Sequence, residues 1–323
     1  MTVFVLGAGA SLHAGYPAAM AMGEELATWA EQDETEGLRY RDDFRELRNE
    51  FGSLSDFERV TTVLLEDKAA GKRQTIPDVG TAISKFFDSI RNRPAQLYDR
   101  LAKERVQRGD VIITFNYDMA IERSLKAAGV WNIIDGYGSA ITLQVRETPT
   151  SGVRVLKPHG STNWWGSLFG GALGYGAAHN SIGERPVFFF EPDFEFLGHK
   201  GVRDPKAPSS SALLSALIWP AWSKQFFMKT AFGNEWEPFW NSLWLEAEQV
   251  LRKADEIVVI GYSLLPADER ARELLLCKAN RNARVAICSR TQSERIANEF
   301  RSHLFKCVHV PTDPTLSGWL DAE

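Results

Sequence analysis

A glycine-rich turn near the N-terminus has the composition of a phosphate-binding turn. Residues 7–11 read Gly-Ala-Gly-Ala-Ser, directly after the apolar run 3–6 and before a helical pattern. Glycines let the backbone approach a pyrophosphate, and the N–H groups and dipole of a following helix favour its negative charge. The fingerprint Gly-x-Gly-x-x-Gly is incomplete because Leu12 occupies its third glycine position, so a plain strand-to-helix turn stays an open alternative. The candidate contacts are Gly7, Ala8, Gly9 and Ser11.

Two polar side chains follow a second apolar run. Residues 114–118 read Thr-Phe-Asn-Tyr-Asp and end the run that begins at residue 111. Ligands of open α/β sheets bind outside the carboxyl ends of the strands, so we expect Asn116 and Asp118 to face the same crevice as the glycine-rich turn. Asp118 could equally be the N-cap of a helix over residues 119–128, and that interpretation also stays open.

A histidine between a proline and a glycine has the setting of a general base. Residues 157–161 read Lys-Pro-His-Gly-Ser. The proline restrains the backbone on one side of His159, the glycine leaves the other side approachable, and imidazole titrates near neutral pH. A lone histidine is more often structural, so this assignment depends on the neighbouring motifs. His13, in the helix after the glycine-rich turn, could approach the same ligand.

A third turn combines a glycine with hydroxyl side chains. The apolar, β-branched residues 257–260 lead into Gly261, Tyr262 and Ser263. Such a turn offers backbone amides and the Ser263 hydroxyl to a phosphate or a ribose, and a plain short connection is the alternative. Asp268, two residues after Pro266, is interpreted as a helix-starting residue.

The motifs need a scaffold that brings strand ends together, and the apolar runs predict a parallel sheet. Four short runs are each followed by a turn signal and a helical pattern, which is typical of parallel strands joined by crossover helices. We expect an α/β fold, a Rossmann-like doubly wound parallel sheet with a helical insert lobe. The predicted strands are residues 2–6, 111–114, 257–260 and 284–288, with further strands at 153–156 and 307–310.

The chain is interpreted as a single domain over residues 1–323, with a core of residues 1–30 and 110–323. Residues 31–109 carry apolar side chains at helical spacing, which predicts a helical lobe packed on one side of the sheet. The glycine-rich stretch 164–185 is expected to be a mobile loop. Five of the ten tryptophans lie in residues 219–244, and we expect them to be core residues of a helix rather than a nucleic-acid platform.

Composition excludes several functional classes. The 323 residues include 37 Lys and Arg against 42 Asp and Glu, a net charge of -5 without a dense basic block, so we expect no direct nucleic-acid binding. No apolar run is long enough to cross a bilayer and the first one stops at Gly7, so we expect a cytoplasmic protein without a signal peptide or membrane contact. Widely spaced cysteines without a Cys-x-x-Cys pair predict reduced thiols and no metal site. These cysteines are Cys277, Cys288 and Cys307.

Taken in order, the four motifs resemble those of the sirtuin (SIR2) family. Residues 7–17, GAGASLHAGYP, are similar to the family's GAGxSxxxGxP segment, and residues 114–118, TFNYD, to its TQNxD motif. Residues 158–160, PHG, resemble its catalytic His-Gly, and residues 261–263, GYS, its GTS turn. The four matches extend from the first predicted strand to beyond the third, and the predicted sheet agrees with the family's fold.

The resemblance implies that NAD is the substrate and binds across the turns 7–11 and 261–263. It also implies that His159 acts as a base on a ribose hydroxyl, that Asn116 orients the ribose and the attacking water, and that Asp118 recognises the nicotinamide carboxamide. Ser289, directly after the run 284–288, lies where the family often contacts the adenosine end. Cleavage of the glycosidic C–N bond passes through an oxocarbenium-like ribose, which nearby polar groups stabilise.

Departures from the family pattern favour one branch of it. Deacylating sirtuins carry Asp-Phe-Arg after the Gly-x-Pro, whereas this chain has Ala18, Ala19 and Met20, and its three cysteines cannot build the family's four-cysteine zinc ribbon. The acyl-lysine peptide normally lies beside that zinc lobe. The chain therefore resembles the SIR2-like proteins of bacterial defence systems, which lack the ribbon and degrade NAD when a partner senses phage or plasmid.

The leading hypothesis is an NAD+ glycohydrolase that releases nicotinamide and ADP-ribose and acts in anti-phage or anti-plasmid defence. We expect activation by homo-oligomerisation or by a separate sensor, for which the resemblance suggests an ATPase or an Argonaute-type protein. One alternative is an NAD-dependent protein deacylase or ADP-ribosyltransferase. Another is a non-catalytic sensor of NAD or ADP-ribose.

Overall fold

The computed structural model describes residues 1–133, 136–138, 151–167, 187–189, 213–221 and 237–322. Its strands are β1 Thr2–Leu6, β2 Val111–Thr114, β3 Arg154–Leu156, β4 Gly160–Ser167, β5 Val187–Phe189, β6 Leu213–Leu217, β7 Glu256–Ile260, β8 Arg284–Cys288 and β9 Cys307–His309. Its helices are α1 Ala8–Ser11, α2 Met22–Gln32, α3 Arg41–Phe51, α4 Phe57–Ala69, α5 Val79–Ile90, α6 Gln96–Arg100, α7 Ala120–Ala127, α8 Glu237–Lys253, α9 Glu269–Glu273, α10 Ser293–Ser302 and α11 Leu316–Asp321.

A six-stranded parallel sheet forms the centre of the protein, in the order β3-β2-β1-β7-β8-β9. The six predicted strands are confirmed to within one residue at each end. The strand order also confirms the predicted α/β, Rossmann-like fold. From β1 the chain adds β2 and β3 on one side and later β7, β8 and β9 on the other, so β1 and β7 flank the point where the order reverses. In sheets of this type ligands bind at that point, outside the carboxyl ends of the strands.

Both faces of the sheet are covered, which explains why its strands are apolar without alternation. Val3 and Val5 belong to one hydrophobic cluster, whereas Phe4 and Leu6 belong to the cluster on the opposite face. Helices α2 to α6 and α11 pack in the Phe4 cluster, and helices α9 and α10 pack in the Val3 cluster.

Helices α3 to α6 lie in the segment 31–109, and their apolar side chains belong to the cluster that contains Phe4. Tyr98, Phe44 and Phe57 are fully or almost fully buried there. The predicted helices are therefore present and lie against one face of the sheet, while the division of the chain into a core and an insert stays a prediction.

Two tryptophans of α8 confirm the expectation of a core helix. Trp240 is fully buried in the Phe4 cluster, and Trp244, 5% exposed, belongs to the cluster on the other face. Trp219 is also buried. Trp222 and Trp236, the other members of the predicted group, lie outside the described residues.

A second sheet was not predicted from the sequence. Strands β5, β4 and β6 form a three-stranded antiparallel sheet, with a register shift in β4 between Gly160 and Trp165. The expectation of a loop over residues 164–185 is therefore wrong at its start, because residues 164–167 belong to β4. Glycine and serine in this segment weaken the alternation that identifies a strand. Residues 168–185 lie outside the described part of the chain.

No helix in the described ranges is both long enough and apolar enough to span a membrane.

Candidate active site

The turns that follow β1 and β7 are packed directly against each other. The Gly7 N–H donates to the carbonyl oxygen of Ile260 at 3.0 Å, and the Gly9 N–H donates to that of Gly261 at 2.9 Å. Gly261 has a φ of +59°, and a Cβ atom there would lie 2.1 Å from the Ala10 nitrogen. Glycine is required because two backbones approach each other here. The amides of Gly7 and Gly9 are already bonded within the protein, so in this conformation they do not serve a phosphate.

The Ser11 hydroxyl connects the glycine-rich turn to two other parts of the chain. It donates to Asp118 Oδ2 at 2.8 Å, lies 2.8 Å from the Tyr98 hydroxyl, and accepts a hydrogen bond from Asn116 Nδ2 at 3.0 Å. A serine hydroxyl has one proton and two lone pairs. Because its proton goes to the carboxylate, Tyr98 must donate to Ser11. Burial and the charge of Asp118 raise the pKa of Tyr98 well above its ordinary value, which keeps this phenol protonated.

Asn116 is fixed by the same network. Its Nδ2 atom donates to the Gly7 carbonyl oxygen at 2.9 Å as well as to Ser11, and its own backbone N–H donates to Thr114 Oγ1 at 3.1 Å. Both amide protons are thus used within the chain. The side-chain carbonyl oxygen has no hydrogen bond to the part of the chain that the structure describes, so it is the group that Asn116 can offer to a ligand.

Asp118 lies between the start of α7 and the glycine-rich turn. One carboxylate oxygen accepts the N–H of Ala120, the first residue of α7, at 2.9 Å, and the other accepts the Ser11 hydroxyl. The residue is 3% exposed. The N-cap of α7 is Met119, without a side-chain capping bond, so the interpretation of Asp118 as the N-cap is wrong by one residue. The carboxylate of Asp118 ties the start of α7 to the glycine-rich turn, and its contact with a nicotinamide carboxamide stays a prediction.

A buried ion pair contacts the backbone of Asp118. Lys157 Nζ lies 2.7 Å from Glu122 Oε1, and both side chains are fully buried. Lys157 also donates to the backbone carbonyl oxygen of Asp118, and the Tyr137 hydroxyl donates to Glu122 Oε1 at 3.2 Å. Burial raises the pKa of Glu122, while Lys157 opposes that rise. The pair joins the segment before His159 to the helix after Asp118.

His159 lies against the aromatic ring of Phe115, next to Asn116 in the chain. The ring centroids of His159 and Phe115 are 5.0 Å apart, and Trp244 lies 5.8 Å from the imidazole. Tyr262 stacks on Phe115 at 4.7 Å. The motifs at residues 114–118, 157–161 and 261–263 therefore meet at one aromatic ring. His159 is 4% exposed, which is more enclosed than the approachable setting predicted for it.

The glycine after His159 is required by the second sheet. Gly160 has a φ of +85°, and a Cβ atom on it would lie 2.0 Å from the Ala216 carbonyl oxygen. The Ile218 N–H donates to the His159 carbonyl oxygen at 2.9 Å. The end of β6 and the residue after it thus hold the backbone of His159 and Gly160.

The carboxylate of Asp268 was missed as part of the site. It directly precedes α9, but it makes no side-chain capping bond to that helix. Its Oδ2 accepts the Tyr262 hydroxyl at 3.0 Å and lies 3.6 Å from His159 Nε2. The interpretation of Asp268 as a helix-starting residue is therefore right for its position and wrong for its carboxylate. A short polar residue after proline looks the same in sequence whichever way it points.

Tyr98 is the second residue that sequence reasoning missed. It lies in α6, within the predicted insert, and no motif marks it; only its tertiary position beside Ser11 shows its role. Its ring also packs edge-to-face with His13 at 4.8 Å. Burial lowers the pKa of His13, so His13 is held near the turn as a neutral ring.

The remaining predicted NAD contacts are more exposed than Asn116, Asp118 and His159. Ser263 and Ser289 are half-buried. The Arg295 guanidinium donates to the Ser263 carbonyl oxygen, and the Ser289 N–H donates to Ser293 Oγ at 2.9 Å. Ala8, in the glycine-rich turn, is half-buried as well. Within the described residues no group of three His, Cys, Asp or Glu side chains is placed to hold a metal ion.

Comparison with known proteins gives structural neighbours only. No family model matches the chain, and no curated protein matches it. Two solved structures are mutants of a Sir2 homologue in complex with ADP-ribose: a serine-to-alanine mutant at 15% identity and a histidine-to-asparagine mutant at 14%. Each match covers 94% of this chain and 88% of the other, with a TM-score of 0.43. A third, described as concerning the mechanism and regulation of Sir2 enzymes, is 16% identical, covers 99% and 88%, and has a TM-score of 0.37.

We expect Gly261→Ala to lower the free energy of unfolding by more than an alanine substitution at another glycine of positive φ whose Cβ position is open. A non-glycine residue at positive φ costs about 1–3 kcal/mol, and here the added Cβ must also push the two turns apart. The matched control is Gly129→Ala, which has a φ of +72° and nothing within 4 Å of its Cβ position. Chemical denaturation measures both variants. Equal losses of stability would contradict the close contact of the turns.

We also expect the protein to lose stability when one partner of the Lys157–Glu122 pair is removed. Lys157→Met leaves a buried carboxylate uncompensated and should lower the free energy of unfolding by about 3–5 kcal/mol. The double variant with Glu122→Leu should recover most of that loss, because an apolar pair no longer has charges to desolvate. Glu104→Gln, which removes an exposed partner of Arg100, is the control with no measurable effect expected. A tolerated Lys157→Met variant would show that the pair is not needed.

Proposed function

We propose that the protein is a Sir2-like NAD+ glycohydrolase that releases nicotinamide and ADP-ribose. The observation that carries the proposal is the convergence of four motifs at the carboxyl ends of neighbouring strands. Ser11 joins the glycine-rich turn to Asn116 and Asp118, and Phe115 joins that strand end to His159 and Tyr262. The convergence lies where the strand order reverses, which is the usual binding position in this type of sheet.

Each of these groups suits a step of glycosidic cleavage. The bond between C1′ of the ribose and the nicotinamide nitrogen breaks, its electron pair leaves with nicotinamide, and a water oxygen bonds to C1′. Asn116 presents its carbonyl oxygen to the ribose or to the attacking water. His159 accepts a proton from a ribose hydroxyl, and the oxocarbenium-like ribose is stabilised by the polar groups around it.

Hydrolysis is favoured over protein deacylation by what the chain has in place of the deacylase elements. Ala18, Ala19 and Met20 occupy the positions of the family's Asp-Phe-Arg. The cysteines cannot form a zinc ribbon, since Cys288 is buried at the end of β8 while Cys277 and Cys307 are exposed elsewhere. A peptide substrate would therefore lack the lobe beside which it normally binds.

We further propose that the activity is controlled by assembly, as part of an anti-phage or anti-plasmid defence. Asn116, Asp118 and His159 are 8%, 3% and 4% exposed in the isolated chain. We propose that a second copy of the chain or a separate sensor binds preferentially to a conformation in which these groups are more accessible and so shifts the chain toward it. A sensor of the ATPase or Argonaute type fits the branch that the motifs resemble.

The test is nicotinamide release from NAD+ by the purified chain, alone and after pull-down with native partners. His159→Ala and Asn116→Ala should each lower turnover by about 10²–10⁴-fold, because positioned general-base and polar groups contribute on that scale. The matched control His309→Ala removes an exposed histidine of β9 and should leave turnover unchanged.

Two other outcomes would overturn the proposal. Tight NAD+ binding without turnover in every assembly state would indicate a sensor. Nicotinamide release that depends on an acylated or acceptor peptide would indicate a deacylase or a transferase.

A further inference from the structure

We propose that Asp268 is the positioning residue for His159: its carboxylate holds the imidazole through Nε2 and is itself held by Tyr262. The inference rests on the NAD+ glycohydrolase activity proposed above, in which His159 is the base. No motif that the sequence offered includes Asp268, so the residue adds a further member to the site.

The carboxylate oxygen Oδ2 is shared by the two rings. The Tyr262 hydroxyl donates to it at 3.0 Å, and His159 Nε2 lies 3.6 Å from it. Burial and Asp268 both raise the pKa of Tyr262 well above its ordinary value, so this phenol stays a donor. The distance to Nε2 is longer than a hydrogen bond, as is common for catalytic contacts before substrate binds, and we expect it to shorten in the substrate complex.

Both members of the pair are buried, so the interaction between them is stronger than it would be in water. The side chains of His159 and Asp268 are 5% and 9% exposed. A carboxylate without a partner is costly at that degree of burial. Its position is nevertheless not explained by helix capping, because Asp268 makes no capping bond to α9. Tyr262 and His159 are two described neighbours that suit a carboxylate at this position.

The imidazole has little freedom to turn away from Asp268. Phe115 and Trp244 pack against it, and the backbone of His159 is held by the residue after β6. With the ring plane restrained by aromatic neighbours, the partner of Nε2 decides which nitrogen carries the proton in the neutral ring. A proton on Nε2 directed at the carboxylate leaves Nδ1 as the basic nitrogen.

The proposed step is balanced as follows. A ribose hydroxyl transfers its proton to Nδ1 of His159, which becomes an imidazolium, and the carboxylate of Asp268 stabilises that positive charge without taking the proton. After nicotinamide has left, water adds to C1′, one proton of that water restores the ribose hydroxyl, and the imidazolium releases its proton to solvent. An opposite charge this close stabilises the imidazolium relative to the neutral ring.

Other charged groups near the pair act on the same equilibrium. Arg270 lies over the ring of Trp244, with its guanidinium carbon 4.7 Å from the ring centroid, and a positive charge disfavours protonation of a nearby imidazole. Glu58 of α4 and Arg272 of α9 act on Tyr262 with opposite signs. Within the part of the chain that the structure describes, Asp268 is the charged group that we expect to act most directly on the imidazole, since its Oδ2 lies 3.6 Å from Nε2.

The test is Asp268→Asn in the chain of residues 1–323, with Asp78→Asn as the matched control. Asp78 precedes α5 and does make a capping bond, to the Thr81 N–H at 3.0 Å. Asparagine caps a helix about as well as aspartate, so a capping role predicts no change in either variant. A positioning role predicts that only Asp268→Asn alters His159.

The first readout is ¹⁵N NMR of histidine-labelled protein, with the His159 signal assigned by its loss in His159→Gln. The wild-type protein should show the Nε2–H tautomer. In Asp268→Asn the Nδ1–H form should increase, and protonation of His159 should require a lower pH than in the wild-type protein. An unchanged tautomer and an unchanged pH of protonation would overturn the inference, and this result does not depend on whether the protein hydrolyses NAD+.

The second readout is steady-state kinetics. Asp268→Asn should lower kcat by at least about 10-fold with little change in KM, Tyr262→Phe should have a smaller effect in the same direction, and Asp78→Asn should have none. In a His159→Ala background Asp268→Asn should cause no further loss, because the carboxylate acts through the imidazole. An equal loss in both backgrounds would overturn the inference. Absence of turnover in the wild-type protein would instead count against the proposed function.

Discussion

The contact between the turns after β1 and β7 is the constraint on which the site depends. Gly9 donates to Gly261 across the two turns, and their backbones lie too close for any side chain on Gly261. This contact fixes Ser11 on one side and Tyr262 on the other. Ser11 then positions Asn116 and Asp118, while Tyr262 positions Asp268. Two separate hydrogen-bond networks are thus set by one backbone contact, which is why the glycines matter even where their amides are bonded within the chain.

The two networks have different electrostatic characters. The Ser11 network is satisfied internally, with one donor and two acceptor positions of the hydroxyl all in use. Such a network holds its members rigidly, so its role is to position side chains rather than to react. The group around His159 combines an imidazole, a buried carboxylate and aromatic rings, a setting in which a proton can move between defined positions. In the proposed function, the Ser11 network therefore orients the ligand and the group around His159 transfers the proton.

The sequence predicted the scaffold well because its strands are buried on both faces. Uninterrupted β-branched runs such as 257–260 have few other structural interpretations, and the turns that follow them mark the strand ends. The same logic placed Asn116 and His159 near one edge of the sheet. Tyr98 and Asp268 could not be found in this way, because their roles depend on where a side chain points after distant segments have packed. Strand β4 was missed for a local reason, since its glycines and serines weaken the strand pattern.

The most direct test of the account is a crystal structure of the Asn116→Ala variant soaked with NAD+. The account predicts density for the nicotinamide ribose at the carboxyl ends of β1 and β2, beside His159, with the pyrophosphate near the turns of residues 7–11 and 261–263. Density for the dinucleotide at another position, or none at NAD+ concentrations that saturate the protein in solution, would contradict the claim that the four motifs form one NAD site.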